Sequence, residues 1–258
     1  MYTSSNLFAM LPTETMAIDS GTVRLELEPP SGVTVYVNEV PSSYLDLADP
    51  GFLAFEYFQQ MHAVLQAFKP APEPVRALHL GAAGCSLARA WDFERPGSRQ
   101  VAVDIDGKLV DFARQWFGLP AAPALRIRAQ SADDAVSTAK AGFYDCIVRD
   151  VFSGSITPPA LTTSEFAQQV YQALAPNGLY LANCADKNSL KTARKELRTL
   201  KEVFPSVAAI GEVGVISGKR FGNIVLAASS CETELFNSPS LERALRSLPV
   251  PAKIVSEL

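Results

Sequence analysis

The sequence predicts an α/β protein built on a doubly wound, mostly parallel sheet that ends in an antiparallel hairpin, with a small β appendage at its N-terminus. Three observations predict it. From Val75 onward, short apolar runs alternate with amphipathic runs of helical period, as in successive βαβ units. Near the C-terminus, SVAAIGEV and FGNIVLAASS are separated only by a loop around ISGKR. That loop is too short for the crossover a parallel pair requires, so the two strands pair antiparallel. Before Val75, residues 22–47 alternate polar and apolar side chains on either side of PPSG, the period-2 pattern of a hairpin with its turn there.

Residues 1–20, MYTSSNLFAMLPTETMAIDS, lack a basic start and a continuous apolar stretch, so they read as a flexible arm and not as a secretory signal. Residues 21–70 hold the hairpin and, after Asp49-Pro50, the run GFLAFEYFQQMHAVLQAF. Its apolar positions recur at three- and four-residue spacing, which predicts a linking helix that KPAPEP then breaks. Residues 71–230 form the main domain. VRALHLG, RQVAVDID, LRIRAQ, YDCIVRDVF and GLYLANCAD read as strands. SLARAWDFE, KLVDFARQWFG, DDAVSTAK, TTSEFAQQVYQALA and SLKTARKELRTLKEVF read as the helices between them. A parallel sheet closing on an antiparallel hairpin is the class I methyltransferase-like form of the Rossmann fold. Residues 231–258 supply one peripheral helix and a tail.

Composition narrows the function classes. A chain of 258 residues with 48% hydrophobic and 19% charged residues builds one main core. No stretch approaches the roughly 18 unbroken apolar residues of a membrane span, so a cytoplasmic location is expected and a membrane role is not. Cys85, Cys146, Cys184 and Cys231 lie far apart without a CxxC pair, which argues against a zinc site and a disulfide framework and makes buried thiols the default. A net charge of -4 gives no basic field for nucleic acid.

The loop after the first strand, Gly81-Ala82-Ala83-Gly84, decides what kind of cofactor fits. A dinucleotide turn of the G-x-G-x-x-G kind needs three glycines so that backbone amides can approach a pyrophosphate. Here Ala83 and Ser86 stand where the second and third glycines belong, so a pyrophosphate is disfavoured. The loop's small residues leave room for a sulfonium nucleoside. At the end of the next strand Asp104, followed by Ile105, is placed to accept both ribose hydroxyls. Asp104 and Asp106 are also open to a capping role, with Asp106 the better cap. At the third strand end Ser131 and Ala132, with Asp133 nearby, fall where an adenine contact is expected, and Ser131 or Asp133 serves equally as a helix cap.

At YDCIVRDVFSGSITPPALTTSEFAQQVYQALAPNGLYLAN the sequence resembles the spermidine synthase family of polyamine aminopropyltransferases, and its divergent bacterial spermidine synthase-like branch in particular. The resemblance extends from the hairpin to RFGNIVLAAS. It implies transfer of an aminopropyl group from decarboxylated S-adenosylmethionine to a polyamine such as putrescine, leaving methylthioadenosine and requiring no prosthetic group. It also implies a homodimer formed through apolar surface on the hairpin side. An alkylammonium titrates near 10.4, so such a reaction needs a carboxylate to take the proton. The resemblance assigns that base to Asp150, for which capping a turn is the structural alternative. It matches Tyr57 to a tyrosine facing the acceptor amine, although Tyr57 reads equally as a core aromatic. Asn183 and Asp186 are placed to line the acceptor pocket, unless Asp186 begins the next helix. His62 and His79 sit among apolar neighbours and read as structural.

The chain departs from the family pattern at several points. Ser153 stands where a second Asp usually holds the far ammonium, and Gly84-Cys85-Ser86 are neutral where an acidic residue usually meets the donor's ammonium. Ser42 falls by spacing where a Gln faces the nucleoside, and Gln59 where a Glu is usual. These changes keep two other readings open: a methyltransferase using intact S-adenosylmethionine, and a nucleoside-binding relative without turnover.

Overall fold

The computed structural model describes residues 4–154, 156–187 and 189–258. Helix α1 (Ser4–Ala9) precedes four antiparallel strands, β1 (Met16–Ile18), β2 (Gly21–Glu28), β3 (Gly32–Val37) and β4 (Val40–Asp46), ordered β1-β2-β3-β4. The turn between β2 and β3 falls at the Pro-Pro-Ser-Gly expected from the sequence. The appendage is nevertheless larger than a hairpin. Val40–Asp46 pairs along β3, and Met16–Ile18, expected in a flexible arm, pairs with Gly21–Val23. Val23, Leu25, Val33, Val35 and Leu45 form the buried face of this sheet.

Helix α2 (Glu56–Phe68) leads to β5 (Arg76–Leu80), α3 (Ser86–Glu94), β6 (Arg99–Asp104), α4 (Gly107–Trp116), β7 (Leu125–Ala129), α5 (Ala132–Ser137) and β8 (Tyr144–Arg149). Then follow α6 (Ser164–Ala173), β9 (Leu174–Asp186), α7 (Lys191–Lys201), β10 (Ser206–Glu212), α8 (Val213–Ile216), β11 (Gly222–Ser229), α9 (Pro239–Arg246) and β12 (Ala252–Val255). The main sheet runs β12-β10-β11-β9-β8-β5-β6-β7. Strands β5 to β9 pair in parallel, and β11 and β10 close the sheet antiparallel, the class I methyltransferase-like topology. The C-terminal stretch expected as a plain tail adds β12 antiparallel to β10.

Alternation along the strands sorts the core onto two faces. Leu78, Leu80 and Ile147 pack with α5, α6 and α7, whereas Ala77, Cys146, Val148, Leu179 and Leu181 pack with α2, α3 and α9. The buried face of the N-terminal sheet packs on Leu109, Ala113 and Trp116 of α4. Three of the four free thiols, Cys85, Cys146 and Cys184, are buried, and Cys231 is half-buried. Among the described residues no helix is long and apolar enough to cross a membrane.

The two sheets are joined by a cap. Asp106 accepts a hydrogen bond from the Leu109 amide at the start of α4, and its other oxygen accepts from both the amide and the hydroxyl of Ser20, each at 2.7 Å. Asp106→Ala removes a helix cap and the Ser20 anchor together, so a loss of about 1–2 kcal/mol is expected in denaturant melts. An unchanged midpoint would show that this bridge carries no stability.

Candidate functional site

Because β5, β6, β7 and β8 are parallel and adjacent, Leu80, Asp104, Ala129 and Arg149 end on one rim, where ligands of doubly wound sheets bind. The first loop turns there at Gly81, whose backbone has φ +82°, and a Cβ at this position would collide with the carbonyl oxygen of Asp150. Only glycine satisfies both demands.

The amides of this loop are all engaged within the protein. Those of Gly81 and Ala82 donate to Val103 O at 3.0 Å, and that of Cys85 to Ala82 O at 2.7 Å. The Ala83 amide donates to Asp104 Oδ2 at 3.1 Å and the Gly84 amide to Ser43 Oγ at 2.9 Å. A phosphate cradle needs free N–H groups pointing at the ligand. This loop is instead braced from both sides.

The brace from the N-terminal sheet falls one residue beyond the position expected from spacing. The Ser42 hydroxyl donates to Val40 O, two residues back, at 3.0 Å, while Ser43 is buried against the loop. The cause is a bulge: Val35 faces Ser43 and Tyr36 faces Pro41, so Ser42 is the extra residue and the side-chain alternation shifts past it. Ser86 Oγ to Tyr44 O at 2.7 Å and Arg89 Nη1 to Asp46 O at 2.7 Å extend the clamp along β4.

Asp104 is half-buried at the end of β6. Oδ2 accepts from Ala83 and Oδ1 from the Asp106 amide at 3.0 Å, which leaves each oxygen a lone pair for a hydroxyl. Burial raises its pKa, and the backbone donors oppose that rise. Next to it Ile105 is 76% exposed, an apolar surface presented at the rim. Ser131 Oγ caps α5 by accepting from the Asp134 amide at 3.1 Å, and Ala132 is buried in the core. Of the two alternatives for Ser131, capping is the one observed.

Asp150, Asn183 and Asn223 stand at the same rim, on the sheet face that α2 covers. Tyr57 Oη donates to Asp150 Oδ2 at 3.0 Å, and Asn183 Nδ2 donates to Asp150 Oδ1 at 2.9 Å. Each carboxylate oxygen is thus fixed by a different donor. Burial raises the Asp150 pKa, opposed by these two hydrogen bonds and by the nearby Arg149 charge. Burial and the Asp150 carboxylate together push the Tyr57 phenol well above its ordinary value, so it stays protonated and donates. Asn183 is 1% exposed, and its Oδ1 has no partner among the described residues. Between Asp150 and the glycine loop lies a space of only about 20 Å³, lined by Phe58, His79 and Ala82. That is room for one water and not for a nucleoside.

Other expected residues lie apart. Asp186 is consumed at the start of α7, where Oδ2 accepts from the Ala193 amide at 2.9 Å and Oδ1 from Lys187 at 2.7 Å. Asp186 ends β9 and does not begin the next helix; its carboxylate reaches across to the first turn of that helix. Ser153 is exposed in a tight turn with Ile156, and Gln59 donates to Leu53 O at 2.7 Å. His79 is buried against Gln100 at 2.9 Å and Trp91, and burial pushes its pKa down to about 4.

Two features escaped the sequence. Arg149, fully buried on the opposite sheet face, donates from Nη2 to Glu196 Oε1 at 2.5 Å and to Asn183 O at 3.2 Å. Burial opposes the Arg149 charge, but the Glu196 carboxylate outweighs it and keeps the guanidinium protonated. Asn223 Nδ2 donates to Glu56 Oε1 at 3.0 Å, beside Tyr57 on α2.

The architecture matches a solved structure closely. A probable spermidine synthase from Corynebacterium glutamicum superposes with a TM-score of 0.89 at 35% sequence identity, covering 95% of this chain and 91% of that one. The chain belongs to the spermidine synthase family. Within that family's reach, the polyamine aminopropyltransferase of Chromobacterium violaceum is 33% identical over 147 residues, 57% of this chain and 55% of its own length. Methyltransferases are also similar: the eEF1A lysine and N-terminal methyltransferase of Danio rerio is 27% identical over 183 residues, 66% of this chain and 26% of its own length. The chain therefore spans between about a quarter and about half of these two curated relatives. No protein-family model matches the sequence. As a spermidine synthase-family chain it shares its fold with proteins named as transferases.

Proposed function

We propose that this spermidine synthase-family chain transfers an aminopropyl group from decarboxylated S-adenosylmethionine to an aliphatic amine, with Asp150 as the proton acceptor. The observation that carries this reading is the Tyr57–Asp150–Asn183 constellation at the sheet rim beside the glycine loop. The donor supplies a carbon activated by the neighbouring sulfonium. The new C–N bond forms as the C–S bond breaks, the electron pair stays on sulfur as a thioether, and one amine proton passes to Asp150.

Tyr57 and Asn183 hold the carboxylate still, so its remaining lone pairs point to one place, and the unpaired Oδ1 of Asn183 accepts a second N–H of the same amine. Burial makes Asp150 a stronger base than an ordinary aspartate, which favours proton transfer from an ammonium. Asp104 receives the ribose hydroxyls, Ile105 offers an apolar wall to the ring, and Gly81 to Gly84 leave space for the nucleoside. Asp104→Asn removes charge from the hydroxyl contacts while keeping an oxygen for Ala83, so nucleoside binding is expected to weaken about tenfold by calorimetry. Unchanged affinity would remove Asp104 from the donor site.

A methyltransferase on amines is the second reading, supported by the methyltransferase relatives. It needs the same base but an intact donor, whose carboxylate must find donors. The loop amides are already engaged, which favours the decarboxylated donor. Calorimetric titration with both nucleosides, followed by mass spectrometry of the products, separates the readings. Methylthioadenosine from the decarboxylated donor supports the proposal. S-adenosylhomocysteine from the intact donor supports the second reading, and neither product from either donor would mark a binding protein without turnover.

A further inference from the structure

The loop between β5 and α3 does not specify its own shape. Ala83 (φ +40°) and Cys85 (φ +59°) both lie in the left-handed region without being glycine, and each is strained unless its surroundings hold it there. A helix start is ordinarily fixed by a polar side chain at the N-cap. At α3 that position is Cys85, whose side chain makes no capping hydrogen bond. What holds the loop therefore comes from elsewhere in the fold.

Much of it comes from β4. The Gly84 amide, between the two strained residues, donates to Ser43 Oγ at 2.9 Å, and Ser43 is 1% exposed. A Cβ on Gly84 would lie 2.9 Å from both Ser43 Cβ and Leu45 Cδ1, so a larger residue would force strand and loop apart. The strand is itself tied down. Ser86 Oγ donates to Tyr44 O, and the buried Arg89 donates to both Asp46 O and Leu47 O. The neighbouring amide, that of Ala83, goes to Asp104, so β6 and β4 each fix one residue of the loop through a side chain.

We propose that Ser43 is a positioning residue for the donor nucleoside, its hydroxyl keeping the strained loop in the shape that the nucleoside meets. This rests on the donor site proposed above and extends it to the N-terminal sheet, although Ser43 acts through Gly84 and not through the ligand. A loop that already holds its bound shape spares the ligand the cost of ordering it. Affinity then falls in proportion to the fraction of molecules whose loop is competent.

Calorimetry of methylthioadenosine binding to the full chain tests this. Ser43→Ala leaves the Gly84 amide without its acceptor, and a competent fraction reduced to about a tenth lowers affinity about tenfold. Ser43→Cys keeps a weaker acceptor in place and is expected to lose less. In turnover the loss is expected in KM for the donor and not in kcat, because Asp150 is oriented by Tyr57 and Asn183 and not by the loop. Ala83→Gly removes the strain at φ +40°, so adding it to Ser43→Ala is expected to return most of the lost affinity. A lesion of the fold at large would not respond to that second change. Wild-type affinity in Ser43→Ala, a double variant no tighter than Ser43→Ala, or no binding of methylthioadenosine by the wild type would overturn the assignment. Product formation separates this claim from the function proposed above. Nucleoside binding that follows Ser43 and Ala83 without any product would leave Ser43 standing and defeat the transfer reaction. Product formation with a donor KM indifferent to Ser43 would do the reverse.

Discussion

Asp150→Asn is expected to lower turnover of an amine acceptor by about 10²–10⁴-fold, the range for removal of a positioned general base. The substitution is nearly isosteric. The remaining side-chain oxygen still accepts from Asn183 Nδ2, and the Tyr57 hydroxyl, which both donates and accepts, pairs with the new amide. Fold and nucleoside binding are therefore expected to persist, and single-turnover rates at saturating donor isolate the chemical step. Stability should move the other way. A carboxyl whose folded pKa is raised favours the folded state at low pH and loses that advantage as pH rises through the folded value. At neutral pH the variant is thus expected to melt at or above the wild type. A variant that melts well below it would show that Asp150 is a structural anchor and not a base held at a cost in stability.

The second large effect lies behind the rim. Arg149→Met leaves the carboxylate of Glu196, 3% exposed, without its partner and is expected to destabilise the protein by about 3–5 kcal/mol. For a chain of this size that corresponds to a melting shift on the order of 6–20 °C. Arg149→Met with Glu196→Met removes both charges and fills the space with apolar side chains, so most of the loss should be recovered. The double variant then separates stability from function. Arg149 also holds the Asn183 carbonyl, and Asn183 orients Asp150, so a refolded double variant with reduced turnover would mark the pair as positioning residues. If the single and double variants melt alike, the ion pair is not what the burial and geometry imply.

Much of the architecture was legible because the main strands and helices are long enough to show their period. β1 and β12 were not, since three or four residues at a sheet edge carry too little pattern to distinguish them from an arm or a tail. The rim was legible where a role depends on a strand end: Gly81 and Asp150 each follow one directly, and Asp104 ends one. Tyr57 stood open between core and site, and Asn183 was placed at the acceptor pocket without its partner, because each meets Asp150 only through a contact spanning 93 residues in one case and 33 in the other. Ser131 and Asp186 look alike in sequence whether they cap a helix or face a ligand, and both cap. Ser42 was displaced by a bulge that the alternation of β4 does not announce. The Glu56–Asn223 contact joins residues 167 apart and leaves no local trace.

The pH dependence of kcat/KM for an amine acceptor tests the central claim most directly. With its pKa raised by burial, Asp150 must lose its proton before it can take one, so the rate is expected to fall as pH drops through a limb above the ordinary aspartate value of about 3.9. That limb should vanish in Asp150→Asn. An identical acidic limb in both proteins, or product formation by the variant at the wild-type rate, would contradict the assignment of Asp150 as proton acceptor.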